Sequence, residues 1–278
     1  MSIDPLIYGL FGLIIGSFLN VCIYRIPLRK SVVFPGSSCP QCGKAIRAFD
    51  NIPVFSYLIL RGKCRYCGKP ISIQYPLVEL LTGVVFYICG RTWNLTAPTF
   101  VNTIFLCMVI ILIFTDFHHR ILPNVLTLPG IIAGILLSPF QVPSVYSDML
   151  SVSTASLPLF RNPQAALPWI GSLFGAIIGG GILLIVGVGY AKLRKRQGLG
   201  MGDVKMMAFV GAFIGWQLAL LTIFAGALLG TLVSVPLILF RKMNLQSKLA
   251  FGVFLGIGAA LSLFYGLPFL SWYLRIGK

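Results

Sequence analysis

Pro5-Leu-Ile-Tyr-Gly-Leu-Phe-Gly-Leu-Ile-Ile-Gly-Ser-Phe-Leu-Asn-Val-Cys-Ile-Tyr24 is an uncharged run, bounded by Asp4 on one side and by Arg25, Arg29 and Lys30 on the other. As an α-helix it would rise about 30 Å, the thickness of a bilayer's hydrocarbon core. It reads as a first transmembrane helix. No basic stretch precedes it and no A-x-A-type site follows, so it is not read as a cleavable signal. Comparable runs recur at roughly 75–89, 97–115, 121–140, 168–191, 204–214, 217–240 and 249–270, making eight spans with the first. The sixth, 204–214, is short for a crossing and is expected to tilt, insert partly or continue into its neighbour.

Composition agrees with this reading. Of 278 residues, 57% are hydrophobic and only 10% charged, with a mean hydropathy of +0.92. A soluble domain carries about 25% charged residues. A soluble globule, a disordered chain, a collagen and a secreted disulfide scaffold are excluded. The expected fold is an all-α polytopic membrane protein of about eight transmembrane helices. A small polar domain is inserted after the first helix, dividing the chain into 1–30, 31–74 and 75–278.

Charge sets the orientation. The chain holds 22 Lys and Arg against 6 Asp and Glu. The basic residues cluster in short segments between apolar runs, as in the cytoplasmic loops of a membrane protein, and not as a nucleic-acid groove. With the N-terminus outside, the inner segments hold all basic residues except Arg91, Arg161, Arg275 and Lys278. The polar domain 31–74 is then cytoplasmic, and the Pro- and Ser-rich segment 141–167 becomes a mobile external loop. Gly12 and Gly16, Gly175 and Gly179, Gly226 and Gly230, and Gly252 and Gly256 form four G-x-x-x-G pairs. Their expected role is close helix packing.

Within 31–74, Cys39-Pro-Gln-Cys42-Gly-Lys44 and Cys64-Arg-Tyr-Cys67-Gly-Lys69 repeat one phrase. Two C-x-x-C turns at this spacing suit a four-thiolate zinc site. Disulfides or redox thiols are the alternative, disfavoured on the cytoplasmic side. Four ligands leave no open position, so Cys39, Cys42, Cys64 and Cys67 are expected to hold a structural metal. Cys22, Cys89 and Cys107 lie in apolar runs and are read as packing residues.

Two of the six acids stand at span ends: Asp116 in Phe114-Thr-Asp-Phe-His-His-Arg120, and Asp203 in Gly198-Leu-Gly-Met-Gly-Asp-Val-Lys205. The topology puts both at the cytoplasmic boundary. Two neighbouring carboxylates resist ionising together, so one can activate water while the other, protonated, donates to a carbonyl. Gly200 and Gly202 would let a peptide approach Asp203 closely, with Lys205 as a supporting charge. Simple caps, or pairing with Arg120 or Lys205, are the alternative reading. A metal held by His118, His119 and Asp116 is a further one, weakened because adjacent helical residues diverge by about 100°.

Several phrases appear in one order. They are Gly16-Ser-Phe-Leu-Asn-Val-Cys-Ile-Tyr-Arg-Ile-Pro27, the paired cysteine phrases, Asn51-Ile-Pro53, Tyr75-Pro-Leu-Val-Glu79, Asp116 with Leu122-Pro123, and Gly200-Met-Gly-Asp203. Together they resemble the bacterial type IV prepilin peptidases, and the resemblance covers nearly the whole chain. It implies a bifunctional inner-membrane enzyme of the GxGD aspartic-protease type. Such an enzyme removes the basic leader of type IV prepilins and type II secretion pseudopilins after a glycine. It then methylates the new α-amino group using S-adenosylmethionine. The family's catalytic aspartates fall on Asp116 and Asp203, and its metal-site cysteines on Cys39, Cys42, Cys64 and Cys67. Asn124 departs from the pattern, since many members have Asp there, and Ala250-Phe-Gly-Val-Phe254 lacks prolines often found in that phrase. The methyl-transfer site has only general candidates, the basic domain and Glu79. A peptidase lacking methyl transfer, a proton-coupled transporter using the two aspartates, and a zinc-domain adaptor are the rival readings.

Overall fold

The computed structural model describes residues 4–141, 168–195, 198–240 and 250–276. The expected external loop lies outside the described residues except for Gln141. The described regular structure is helical, with two isolated bridges, Ser38 to Ala45 and Lys63 to Pro70. In order, the helices are α1 (Pro5–Arg25), α2 (Phe55–Ile59), α3 (Gln74–Trp93), α4 (Ala97–His119), α5 (Asn124–Leu137), α6 (Pro168–Arg194), α7 (Met201–Leu239) and α8 (Phe251–Ile276).

Five of them, α1, α4, α6, α7 and α8, are long and apolar enough to cross a membrane. The expected eight crossings are therefore not matched by length and composition. Helix α5 has only 14 residues. Helix α3 is long enough but carries Gln74, Glu79 and Arg91. The expected sixth and seventh runs are the two arms of α7, which breaks at Gly215 with φ 78° and ψ 169°. Only glycine adopts that conformation readily. The arm ahead of the break rises about 21 Å, short of a full crossing.

The chain forms two compact units, Met1–Ile111 and Leu112–Lys278. In the first, α1 packs along α3. A Cβ on Gly12 would stand 2.7 Å from the Phe86 side chain, and one on Gly16 2.6 Å from the Glu79 Cα. The opposite face of α1 exposes Leu6, Ile7, Leu10, Phe11, Ile14 and Phe18. Small and polar residues thus face a partner helix while large apolar ones face outward, the arrangement expected where lipid is the solvent. Tyr8 Oη donates to Thr103 Oγ1 at 3.1 Å, tying α1 to α4.

In the second unit, α6 and α7 pack most extensively, followed by α7 and α8. Gly175 and Gly211 face one another so closely that a Cβ on either would overlap the other's carbonyl oxygen. Ser172 Oγ donates to the Ala212 carbonyl at 2.5 Å in the same contact. Phe209, Phe213, Met206, Met207 and Leu255 complete a core with no exposed side chain.

Candidate active site and cysteine cluster

Asp116 sits in the last turn of α4 and is 5% exposed. The helix ends at Arg120, which takes a left-handed φ of 53° while its N–H donates to the Asp116 carbonyl at 2.8 Å. Backbone N–H groups of Val253 and Gly252, at the start of α8, face the Asp116 carboxylate. A helix N-terminus presents partial positive charge to an anion there. The Oδ2 atom of Asp116 is buried without a hydrogen-bond partner among the described residues. A carboxylate oxygen in that condition costs stability unless something uses it.

Asp203 stands in the first turn of α7, whose N-cap is Gly200. The Gly200 N–H donates back to its carboxylate, the reciprocal half of a capping box. The capping reading is therefore satisfied by part of the group. The same carboxylate feels the charge of Asp116, so the two acids share a neighbourhood although 87 positions separate them.

Leu122 explains how they meet. A Cβ on Gly202 would lie 3.1 Å from the Leu122 Cβ, and one on Gly252 would lie 3.1 Å from Leu122 Cδ1 and 2.8 Å from Asp116 Oδ2. The loop after α4 thus carries one side chain that fills the space between the start of α7 and the start of α8. Gly252 is not merely a bundle-packing residue, as expected from its G-x-x-x-G pair; the space it leaves open belongs to Asp116. Neither Leu122 nor Gly252 could be assigned there from sequence, although both lie in phrases that were singled out. Lys205 Nζ donates to Asn124 Oδ1 at 2.9 Å, linking the first turns of α7 and α5. His118 and His119 are exposed, with rings 6.4 Å apart. Among the described residues they join no cluster of three or more metal-ligating groups.

The four cysteines of the polar domain do form such a cluster, with sulfur atoms all within 4.8 Å of one another. A tetrahedral zinc with Zn–S bonds of about 2.3 Å needs sulfurs about 3.8 Å apart, and Cys39 and Cys67 stand at 4.0 Å. The two turns are built alike. Cys39 N–H donates to the Lys44 carbonyl and Gly43 N–H to the Cys39 carbonyl, each at 2.9 Å; Cys64 with Lys69, and Gly68 with Cys64, repeat both bonds at 2.9 Å. Gly43 and Gly68 take left-handed φ values of 71° and 66°. Backbone N–H groups of Cys67 and Tyr66 pull the Cys64 thiol down to about 7, whereas burial and the neighbouring thiols push Cys67 up to about 11, so the sulfurs share their protons as a set. Asp50 clamps the second turn, accepting from Arg65 Nε at 2.8 Å and Nη2 at 2.6 Å. The Arg65 guanidinium also lies over the Phe49 ring at 5.3 Å.

Glu79 is 8% exposed and lies apart from these cysteines in sequence, on α3. Its Oε2 accepts the Val54 N–H at 2.8 Å, with Ser17 also within reach. Val54 holds a φ of 60°, a costly conformation for a β-branched residue. Glu79 therefore pins the turn that closes Asn51-Ile-Pro53 and starts α2. Within the first unit, α1, α3 and the cysteine domain line an open cleft of about 780 Å³ that includes Glu79.

Residues 10–93 match the bacterial peptidase A24 N-terminal domain, and residues 103–235 match the type IV leader peptidase family. A prepilin leader peptidase/N-methyltransferase of Myxococcus xanthus is 36% identical, over 82% of this chain and 61% of its own length. Proteins of the same description from Aeromonas salmonicida and Pseudomonas aeruginosa are 30% and 31% identical, over 95% and 96% of this chain and 92% of their own lengths. No solved structure matches the chain. With two adjoining family models and several relatives aligned along most of its length, the chain belongs to the type IV leader peptidase family.

Proposed function

We propose that the protein is a membrane aspartic endopeptidase that cleaves the basic leader from type IV prepilins and type II secretion pseudopilins after a glycine, and then N-methylates the exposed residue. The observation that carries the cleavage reading is the pairing of Asp116 and Asp203 around Leu122, with a buried Asp116 oxygen left unpartnered. One carboxylate, ionised, takes a proton from water as its oxygen attacks the scissile carbonyl. The other, protonated, donates to the carbonyl oxygen. Collapse of the tetrahedral adduct breaks the C–N bond, and a proton returns to the departing amine. Gly200 would give an extended peptide room beside Asp203, while the bare Cα of Gly202 admits Leu122 and Lys205 holds the loop through Asn124.

The domain division is proposed as 1–30, 31–74 and 75–278, with about eight crossings if α3, α5 and both arms of α7 are counted. The positive-inside distribution supports an N-terminus outside the bacterial inner membrane, with the cysteine domain and both aspartates at the cytoplasmic face. Zinc in the Cys39, Cys42, Cys64 and Cys67 cluster would be structural. S-adenosylmethionine would supply a methyl group from its sulfonium to the neutral α-amine, leaving a thioether and a secondary ammonium. That amine does not exist until the peptide bond is cut, so cleavage precedes methylation and does not need the cofactor.

The test is incubation of purified protein with a leader-bearing prepilin, read by gel shift and N-terminal mass, with and without S-adenosylmethionine. Cleavage in both and a methyl increment only with cofactor are expected. A methyl group found on uncleaved substrate would overturn the order. An intact substrate in both would overturn the cleavage reading.

A further inference from the structure

Part of the cysteine domain folds back beside the long helices instead of standing beyond their ends. The Val54 N–H donates to the Glu79 carboxylate at 2.8 Å, with Ser17 also within reach of that carboxylate. Ser17 precedes the end of α1 at Arg25 by eight residues, and Glu79 follows the start of α3 at Gln74 by five. At 1.5 Å per residue, the Val54 turn sits roughly 7–12 Å inside the helix ends. Because α1 is just long enough to span a hydrocarbon core, its end marks the edge of the lipid. A cleft of about 310 Å³ agrees with this depth, since Ile14, Phe18 and Val21 of α1 line it together with Val33, Pro35 and Pro53. Arg25 draws the first of these loops back, with Nη1 donating to the Ser31 carbonyl at 3.0 Å and Nη2 to the Gly36 carbonyl at 3.1 Å.

That depth decides what the exposed side chains of the segment face. Helix α2 has two sides: Ser56, Tyr57 and Leu60 line the larger cleft with Glu79, while Phe55, Leu58 and Ile59 are exposed, Ile59 by 75%. Val33 and Phe34, in the loop held by Arg25, are exposed by 67% and 77%. In water, so many large apolar groups in one short domain would form a costly patch. They run on from the outward face of α1, where Ile14 and Phe18 are exposed and share the smaller cleft with Val33. The backbone suits lipid as well: the N–H groups of Ser56, Leu58, Leu60 and Gly62 donate within the segment at 2.9–3.1 Å. Cations flank the apolar groups on both sides, Arg29 and Lys30 after α1 and Arg61 and Lys63 after α2, all exposed. The single acid of the domain, Asp50, is engaged by Arg65. Exposed apolar groups rimmed by cations suit the interface of an anionic leaflet. A water-soluble partner could not reach this depth, and the basic leader of a prepilin would be repelled by the four cations.

We propose that Val33, Phe34, Phe55, Leu58 and Ile59 are seated in the lipid of one leaflet, with Arg29, Lys30, Arg61 and Lys63 on the headgroups of anionic phospholipids. The two cysteine turns stand outside that layer, in water. The bond from Val54 to Glu79 sets the depth of the anchor, and the strained turn at Val54 directs α2 into the lipid. The anchor is independent of both the cleavage and the methyl-transfer readings.

The full-length protein is reconstituted in vesicles of phosphatidylethanolamine and phosphatidylglycerol that contain a phospholipid with a photoactivatable diazirine in its upper acyl chain. Labelled peptides are mapped on the wild type, so the main result needs no variant to fold. Peptides spanning 31–36 and 53–60 are expected to take label at a level comparable with α1, and the cysteine turns 39–44 and 64–69 at least tenfold less. Label on 53–60 no greater than on the cysteine turns would overturn the proposal. Hydroxyl-radical footprinting runs alongside. Protection of 53–60 without lipid label would give the surface to a protein partner or a second copy, and would also overturn it. Arg61→Gln combined with Lys63→Gln should cut the label on 53–60 at least twofold while label on α1 is unchanged. Undiminished label in that variant would overturn the assignment of these cations to headgroups.

Discussion

At Lys205 and Asn124 a single hydrogen bond joins the turn carrying Asp203 to the turn after Leu122. The departure from the family pattern at Asn124 is therefore chemically quiet, because an amide oxygen accepts from an ammonium as a carboxylate would. Asn124→Asp should keep the tie as a charge-assisted bond, adding at most about 1 kcal/mol at this exposed position, with the gain fading in salt. Lys205→Met should lower the leader-cleavage rate several-fold without unfolding the protein. Thermal melts in low and high salt, beside cleavage rates, check both. A Lys205→Met enzyme at full rate would remove Lys205 from the site. The four cysteines proposed to hold zinc act at the same scale. Cys39→Ser should lose the metal and leave 31–74 open to limited proteolysis, since structural zinc is worth on the order of 10 kcal/mol of apparent folding energy in small domains. Metal analysis and protease mapping read this directly, and a stoichiometric metal retained by Cys39→Ser would count against the four-thiolate site.

Helices α6 and α7 touch through glycine backbones, so that contact has no slack. Gly175→Val should force the pair apart and cost at least about 1–3 kcal/mol, as overpacking does. Gly181→Ala, on the same helix with nothing within 4 Å of its added Cβ, should be neutral or slightly stabilising. Detergent melting temperatures separate the two, and equal melts would show that the close contact is not a determinant of stability. The G-x-x-x-G spacing made this packing legible in the sequence. The paired cysteine turns were legible for a different reason: each is closed by hydrogen bonds within six residues, so the repeat itself encodes the geometry. The number of crossings was harder to read. Hydropathy measures how apolar a run is, and cannot distinguish an arm that ends at Gly215 from a helix that crosses. It also cannot show that Glu79 of α3 is turned inward against Val54.

Over the whole molecule, chemistry divides between the compact units. The second holds both aspartates; the first holds the cysteine cluster and the cleft. The aspartates could be picked out by their rarity and by their places at span ends, but the residue between them could not. Leu122 touches the positions of Gly202 and Gly252 only because α5, α7 and α8 begin near one another, and no local pattern announces that. The cleft was equally hidden, since its lining comes from scattered positions between 17 and 79. The peptidase reading stands or falls on whether Asp116 and Asp203 work as one unit. Asp116→Asn, Asp203→Asn and the double variant should be compared for single-turnover leader cleavage at matched, folded, zinc-loaded protein. Asn keeps the size and much of the hydrogen bonding but cannot carry the proton. A shared acid–base pair predicts that each single variant loses cleavage almost entirely and that the double variant is hardly worse, as members of one catalytic constellation are strongly non-additive. Capping roles predict the contrary: retained turnover in either single variant, with a stability loss of about 0.5–2 kcal/mol, and that result would contradict the aspartic mechanism.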